Sequence, residues 1–180
     1  MKLHSSRIMI LVLMGILFLS ISSVYAETSE EYFQRGLANG KQGNFIQAIS
    51  DFTKAIKINP NYADAYYNRG LSYGKQDNLT QAISDFSKAI EINPNNAYTY
   101  TGRGVAYEKQ GSFIQAIADY SKAIELNPND ALVYYNRAVV YYETKEYDKA
   151  WADVHKAEEL GKTVNPEFIN ALKEASGRDK

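Results

Sequence analysis

The chain has 180 residues and contains no cysteine. Zinc sites built on thiolates, thiol catalysis and structural disulfides are therefore excluded together. A lipid anchor attached to a cysteine at a signal cleavage site is excluded as well. A chain without cysteine folds in either redox compartment, so this absence does not decide where the protein works.

Excess charge of one sign is also lacking. The formal net charge is −1 at pH 7. A protein that binds nucleic acid by neutralising phosphates needs a strong basic field, which this composition does not supply. We therefore expect no nucleic-acid partner.

Groups that could carry catalysis are few. Of the two histidines, His4 lies near the N-terminus and His155 has Asp153 and Lys156 nearby, at spacings that do not form a catalytic set. The sequence shows no nucleophile paired with a base, no cluster of metal ligands and no glycine-rich phosphate loop. We expect no enzymatic activity, no metal and no cofactor.

One long apolar run stands at the N-terminus. After a basic start, the uncharged run Ile8–Ile21 leads to the small-residue site Val24-Tyr25-Ala26. This pattern predicts a signal peptide over residues 1–26 and a mature chain that begins at Glu27 and is periplasmic or secreted. A membrane span needs about 20 apolar residues, and the uncharged N-terminal run approaches that length. The alternative is therefore an uncleaved anchor that tethers the protein to a membrane.

A repeat organises the rest of the chain. Asn-Pro pairs end at Pro60, Pro94 and Pro128, each 34 residues from the next, and the segments between them align without a gap. A fixed period of this size indicates stacked supersecondary units. Numbered from its first residue, the unit repeats four times, over residues 29–62, 63–96, 97–130 and 131–164.

Two polar positions of the unit are identical in all four copies. Arginine stands at position 7 and aspartate at position 23. We interpret them as a structural ladder of charge-assisted hydrogen bonds, either between the two helices of a unit or between neighbouring units. The ladder comprises Arg35, Arg69, Arg103, Arg137, Asp51, Asp85, Asp119 and Asp153.

Each unit predicts two antiparallel helices, A and B. Apolar and small residues fall at positions 4, 8 and 11 and then at 17, 20, 21, 24, 27 and 28, which is helical spacing on two segments. Turn formers such as Gly43-Asn44 separate A from B, and the prolines end B. Thr28 and Glu31 form a capping-box pattern before the first helix. We expect the next three helices to be capped by Asn61, Asn95 and Asn129.

Glycine recurs in the middle of helix A at position 8. A glycine there costs about 1 kcal/mol relative to alanine, so Gly36, Gly70 and Gly104 predict a close helix contact that offsets the cost. The fourth unit has Ala138 at this position. A methyl group therefore fits in that unit.

This unit resembles the tetratricopeptide repeat. The likeness rests on the 34-residue period, an aromatic at position 4, glycine at 8, tyrosine at 11, alanine at 20 and 27, an aromatic at 24 and proline at 32, and it covers nearly all of residues 29–164. The resemblance implies an all-α, right-handed α-solenoid of tandem helix-turn-helix repeats within a domain of residues 27–180. Members of that family mostly bind proteins or peptides in a concave groove lined by the A helices.

The fourth unit departs from this pattern. Val154 replaces the aromatic, Glu158 takes the place of an isoleucine, and the closing Asn-Pro is lost. A further segment over residues 165–175 carries Phe168 on an apolar side. We predict a C-terminal cap helix there, because a stack of repeats needs a solubilising end.

The resemblance also implies which side chains face the groove. They are apolar or aromatic apart from Thr101 and the amides of Asn68 and Asn136, which could bond a peptide backbone. The lysines and arginine that let some family members bind an acidic C-terminus are missing at the matching positions, so we do not expect that ligand. The implied groove residues are Phe33, Leu37, Tyr67, Asn68, Leu71, Tyr98, Thr101, Val105, Tyr135, Asn136, Val139 and Tyr142.

The sequence leaves open the role of the tyrosines and the choice between two functions. The tyrosines at position 5 are explained equally well as half-buried packing residues, and Tyr98, Tyr135 and Tyr142 are expected to form one aromatic patch if they face the groove.

The leading prediction for function is an exported scaffold that binds a protein or peptide. The alternative is a self-assembling structural protein, and we expect a monomer or a weak homo-oligomer.

Overall fold

A computed structural model describes residues 27–178. The predicted signal peptide or anchor, residues 1–26, lies outside the described residues. Within the part described, the chain forms only helices and connecting turns, with no strand. The helices are α1 Ser29–Lys41, α2 Phe45–Ile58, α3 Ala63–Lys75, α4 Leu79–Ile92, α5 Ala97–Lys109, α6 Phe113–Leu126, α7 Ala131–Glu143, α8 Tyr147–Glu159 and α9 Pro166–Ser176.

The helices pack as hairpins stacked in chain order. Helix α1 packs on α2, α3 on α4, α5 on α6 and α7 on α8, and each second helix also contacts the first helix of the next hairpin. The odd-numbered helices α1, α3, α5 and α7 contact one another along the stack. The predicted fold class, an all-α solenoid of tandem helical hairpins with a C-terminal cap helix, is confirmed.

Local signals place the turns. The predicted capping box is present, since the Thr28 hydroxyl accepts from the Glu31 amide and the Glu31 carboxylate accepts from the Thr28 amide. The turns inside the four hairpins each contain one residue with positive φ, which the turn residues predicted for the first three but not for the lysine of the fourth. These residues are Gly43, Asp77, Gly111 and Lys145.

The caps between hairpins differ from the prediction by one residue. Before α7 the N-cap is Asp130, whose side chain accepts from the Leu132 amide, and not Asn129. Asn129 is held outside the helix because its backbone amide donates to the side-chain oxygen of Asn127 in the preceding turn. The same turn displaces Asn61 and Asn95, and the N-caps there are Tyr62 and Asn96.

Glycine at position 8 contacts an aromatic ring at position 24 of the same repeat. A Cβ atom at Gly36 would lie 2.6 Å from the Phe52 ring, and the corresponding distance from Gly104 to Tyr120 is 2.7 Å. The ring thus lies directly against the backbone of helix A. In the fourth repeat the pair is Ala138 and Val154, both fully buried. The smaller partner explains why a methyl group is accommodated there.

The arginine–aspartate ladder joins the two helices of each hairpin. In the third repeat, Nε and Nη2 of Arg103 each donate to one carboxylate oxygen of Asp119 at 2.8 Å. The second and fourth repeats have the same bidentate geometry, at 2.7–2.8 Å. In the first repeat Arg35 makes one such bond to Asp51, and Asn39 donates the other.

Each interior arginine also reaches the preceding repeat. Nη1 of Arg103 donates to the Ser87 hydroxyl at 3.0 Å, and Arg69 and Arg137 bond Thr53 and Ser121 in the same way. One guanidinium therefore joins three helices. The two alternatives left open by the sequence, bonds within a repeat and bonds between repeats, are both realised because arginine has five donors in a fixed geometry.

The C-terminal helix covers the last hairpin. Phe168 lies edge-on to Tyr135 and Tyr142, with ring centroids 5.7 and 5.6 Å apart, and Leu172 is fully buried. Trp151 Nε1 donates to the Ser176 hydroxyl at 3.1 Å. The helix predicted over residues 165–175 thus begins and ends one residue later and occupies the place where another helix A would pack.

The glycine contact can be tested by adding one methyl group. We expect Gly36→Ala to lower the free energy of unfolding by about 1–2 kcal/mol, because overpacking costs about 1–3 kcal/mol and alanine returns up to about 1 kcal/mol in a helix. Gly40→Ala in the same helix is the control, since nothing lies within 4 Å of its added Cβ. Adding Phe52→Val to Gly36→Ala should remove the penalty of the methyl group in a double-mutant cycle. Equal stability of the two alanine variants in urea would contradict the contact.

The ladder can be tested on α6. We expect Asp119→Ala to cost about 3 kcal/mol, because it leaves the mostly buried guanidinium of Arg103 without its carboxylate. Glu125→Ala is the matched control, since it breaks the exposed pair with Lys122 on the same helix and should cost under about 1 kcal/mol. Similar losses in the two variants, measured by chemical unfolding, would show that the ladder does not stabilise the stack.

Candidate binding groove

An apolar cavity of about 290 Å³ lies between α3 and α5. Its deepest aromatic residue is Phe86, which is 2 % exposed and contributed by α4. Gly70 and Gly102 bring the backbone of the two helices close to this ring. The lining residues are Tyr67, Gly70, Leu71, Gly74, Lys75, Leu79, Phe86, Tyr98, Thr101, Gly102, Val105, Ala106 and Lys109.

Missing side chains create this cavity. Gly102 holds position 6 of its repeat, where the other repeats have glutamine or asparagine, and a Cβ there would lie 3.0 Å from the Phe86 ring. Gly74 faces open space, because nothing lies within 4 Å of an added Cβ. The ring of Phe86, itself buried, therefore forms the floor of the cavity.

Aromatic and aliphatic side chains form the walls. Tyr98 is 62 % exposed and Leu71 is 38 % exposed, although both are large and apolar. The Tyr67 ring lies 5.9 Å from that of Phe86, and burial, with a smaller effect of Tyr98, raises the pKa of the Tyr67 hydroxyl. The site thus offers an apolar surface that the chain itself leaves uncovered.

A second cavity of about 280 Å³ continues the first toward the N-terminus. It lies between α1 and α3 and shares Leu71 and Lys75 with the first. We call the two cavities together the groove. The second is lined by Leu37, Gly40, Lys41, Phe45, Phe52, Asn68, Leu71, Ser72 and Lys75.

The interior groove residues expected from the resemblance line these cavities. Tyr67, Leu71, Tyr98, Thr101 and Val105 surround the first, and Leu37 and Asn68 lie in the second. The Asn68 side-chain amide donates to the Asp64 carbonyl at 2.8 Å, one turn earlier in α3. Its oxygen is the atom that an incoming backbone amide could use.

Phe33 does not face the groove and corrects the expectation. It is 8 % exposed and packs against Phe52 and Tyr62, whose ring centroids lie 5.8 and 4.7 Å away. The covering residue is Tyr62, and the corresponding residue of the next repeat is Asn96. Because asparagine is smaller than tyrosine, Tyr67 is only half-buried, whereas Phe33 is buried under Tyr62.

The C-terminal part of the expected groove is covered by α9. Tyr135 and Tyr142 are half-buried and contact Phe168, and the Lys162 ammonium lies 4.8 Å from the Tyr135 ring centroid. Asn136 and Val139 belong to the same helix and line neither cavity. The structure joins Tyr135 and Tyr142 to the cap helix, whereas Tyr98 belongs to the cavity between α3 and α5.

Three lysines of the groove escaped the sequence reading. Lys41, Lys75 and Lys109 occupy position 13 of the first three repeats and all line the cavities. The signal was available, because they share the 34-residue period. The predicted groove residues nevertheless include no lysine.

A partly buried acidic residue, Glu108, lies next to Lys109 of this site. The Tyr120 hydroxyl donates to the Glu108 carboxylate at 2.6 Å. Burial raises the pKa of Glu108, and this hydrogen bond opposes the shift; the nearby Glu143 raises it further. Tyr120 replaces the phenylalanine of the first two repeats, and glutamate replaces their glycine at position 12, so the buried hydroxyl has an acceptor.

Residues 27–178 contain one histidine. His155 is exposed on α8 and its ring lies 5.6 Å from Trp151. No group of three His, Asp or Glu side chains in this range is placed to hold a metal ion. None of the helices in the same range is long and apolar enough to cross a membrane.

Solved structures with this architecture include the MamA protein, which is 27% identical with a TM-score of 0.75 over 84% of each chain. The TPR domain of Arabidopsis OM64 is 28% identical with a TM-score of 0.63, over 64% of this chain and 96% of that domain. The first TPR of Spaghetti (RPAP3) bound to the HSP90 peptide SRMEEVD has a TM-score of 0.64 over 65% of this chain and 93% of its own. At 24% identity, that last likeness concerns the fold alone.

Family models agree with the architecture. Two described as tetratricopeptide repeat match residues 63–96 and 86–118, and one described as TPR repeat matches residues 30–77 and 109–145. A search of curated proteins finds no significant match. The four stacked hairpins and these family models together show that the chain belongs to the tetratricopeptide repeat family.

Proposed function

We propose that this protein is an exported scaffold that binds a peptide or an extended protein segment in the groove on α1, α3 and α5. The tetratricopeptide fold supports a role in protein–protein interaction. The observation that carries the finer proposal is the apolar cavity above Phe86, whose walls include the exposed side chains of Tyr98 and Leu71. An apolar side chain of a partner would fill this space and remove that surface from water.

Export is supported by the sequence of residues 1–26 alone. The basic start, the apolar run and the small residues before Glu27 are the pattern of a cleaved signal. The groove and the signal are independent features. Each is therefore tested separately.

Self-assembly is the second candidate function. The exposed side chains of Ile46 and Ile114, 78 % and 83 % exposed on α2 and α6, are the surface that favours it. The cap helix α9 opposes end-to-end growth, because it covers the last hairpin. We therefore place partner binding in the groove first.

Filling the cavity should abolish partner binding without unfolding the protein. We expect Gly74→Tyr to place a ring in the open space and to prevent capture of a partner from the envelope fraction of the native host. Its melting temperature should not fall, because helical glycine is replaced by a better helix former. Ala118→Tyr, on an exposed site of α6, is the control and should retain the partner.

The other outcomes of that capture experiment are decisive. A partner retained by folded Gly74→Tyr would move the interaction off the groove. No partner for any variant, together with a mass by light scattering that rises with protein concentration, would favour self-assembly through α2 and α6.

Processing of the N-terminus tests export. We expect protein isolated from the native host to begin at Glu27, read by N-terminal sequencing, and to occur in the soluble envelope or the medium. An intact N-terminus in the membrane fraction would identify the apolar run as an anchor. Intact protein in the cytoplasm would contradict export.

A further inference from the structure

We infer that the segment bound in the groove is acidic, with an apolar anchor above Phe86 and carboxylates on Lys41, Lys75 and Lys109. This inference rests on the proposed function and adds the chemistry of the partner. It differs from recognition of an acidic C-terminus, because the lysines hold position 13 and no terminal carboxylate is required. We call these three residues the lysine row.

The lysine row follows the groove. Lys41, Lys75 and Lys109 are each the final residue of α1, α3 and α5. Lys41 and Lys75 line the second cavity, and Lys75 and Lys109 line the first. No aspartate or glutamate lines either cavity. The only formal charges of the groove lining are therefore positive, in a chain whose formal net charge is −1.

The charges of the row are available to a ligand. All three lysines are exposed, and none forms an ion pair with a carboxylate of residues 27–178. Other lysines do form such pairs, as Lys88 does with Glu91 and Lys122 with Glu125. Cations beside an apolar cavity complement a segment that carries both apolar and acidic side chains.

A purely local role explains the row less well. Lysine in the last turn of a helix favours the helix dipole, which is worth about 0.3–1 kcal/mol. That effect would act equally on the second helix of each hairpin, yet only α2 and α8 have a basic residue in the last turn, while α4 and α6 have none. The lysines of the first three hairpins thus recur on the helices that line the groove.

The row ends at the fourth repeat. Position 13 is Glu143 there, and the partly buried Glu108 of the third repeat is a second carboxylate, whose pKa Glu143 raises and Lys109 lowers. Carboxylates of a ligand would be repelled at this end. The acidic segment therefore extends from the first cavity toward α1.

Helix spacing sets the ligand pattern. Packed helices lie roughly 8–10 Å apart and an extended chain rises about 3.3 Å per residue. Acidic residues about three apart would therefore meet successive lysines. A leucine or phenylalanine near one end would enter the cavity above Phe86.

Two synthetic peptides test the inference. The acidic probe carries one phenylalanine followed by glutamates at every third position, and the neutral probe has glutamine in place of each glutamate. Binding of both labelled peptides to the purified protein is measured by fluorescence anisotropy at low and high salt. We expect the acidic probe to bind about tenfold more tightly at low salt, with the difference shrinking at high salt, because exposed ion pairs give roughly two- to fivefold each and are screened.

Variants locate the effect. Lys41→Gln, Lys75→Gln and Lys109→Gln combined should weaken the acidic probe about tenfold and leave the neutral probe unchanged. Lys57→Gln is the matched control, because Lys57 is exposed in the last turn of α2 and lines neither cavity. Gly74→Tyr should weaken both probes. Melting temperatures of all variants show whether the helices remain intact.

Three results would overturn the inference. Equal affinity for the two probes, both lost in Gly74→Tyr, would leave groove binding intact and remove the acidic preference. A preference for the acidic probe that survives in the triple lysine variant would place the carboxylates elsewhere. If neither probe binds, the acidic segment is the wrong ligand, while groove binding is still judged by partner capture with Gly74→Tyr.

Discussion

The stack depends on a mostly buried guanidinium that serves three helices at once. Each interior arginine neutralises an aspartate of its own hairpin and bonds a hydroxyl on the preceding one, so folding of a hairpin and its docking share one interaction. Burial of this charge is tolerable only while all its partners are in place. In the first hairpin of residues 27–178, Arg35 pairs with Glu27 instead. The fourth hairpin has His155 in place of the hydroxyl, and the helix that follows it, α9, contains no arginine.

Space in the groove comes from the same glycines that let the helices approach. Gly70 admits the Phe86 ring against the backbone of α3, and Gly102 lets the backbone of α5 approach the same ring. In the fourth hairpin, Val154 replaces the aromatic ring and Ala138 replaces the glycine that packs against it. The groove side of that hairpin, at Tyr135 and Tyr142, is covered by Phe168. The glycines of the first helix and the aromatic ring at position 24 therefore determine both how the helices of a hairpin pack and where the groove has space.

Much of the fold could be predicted because its signals are local and repeated. Prolines, turn glycines and the capping box each act within a few residues, and the 34-residue period aligns them. The candidate site was only partly predictable, since a repeat alignment treats every copy as an interior one. Phe33 and Tyr135 lie in end copies, where Tyr62 and the cap helix cover them. The lysines at position 13 were visible in the period, but their lack of carboxylate partners depends on packing that the sequence does not display.

The cap helix also limits how such a chain can change its length during evolution. The arginine of a hairpin inserted between existing ones would bond the hydroxyl of the hairpin before it, and its own hydroxyl would bond the arginine of the hairpin after it. Gene duplication inside the array therefore preserves the hydrogen bond at every junction between hairpins. A hairpin added after α8 would first have to displace Phe168 from Tyr135 and Tyr142, and would meet His155 where its arginine needs a hydroxyl. Internal duplication is thus the structurally permitted way to lengthen this array, in keeping with the similarity of its first three repeats.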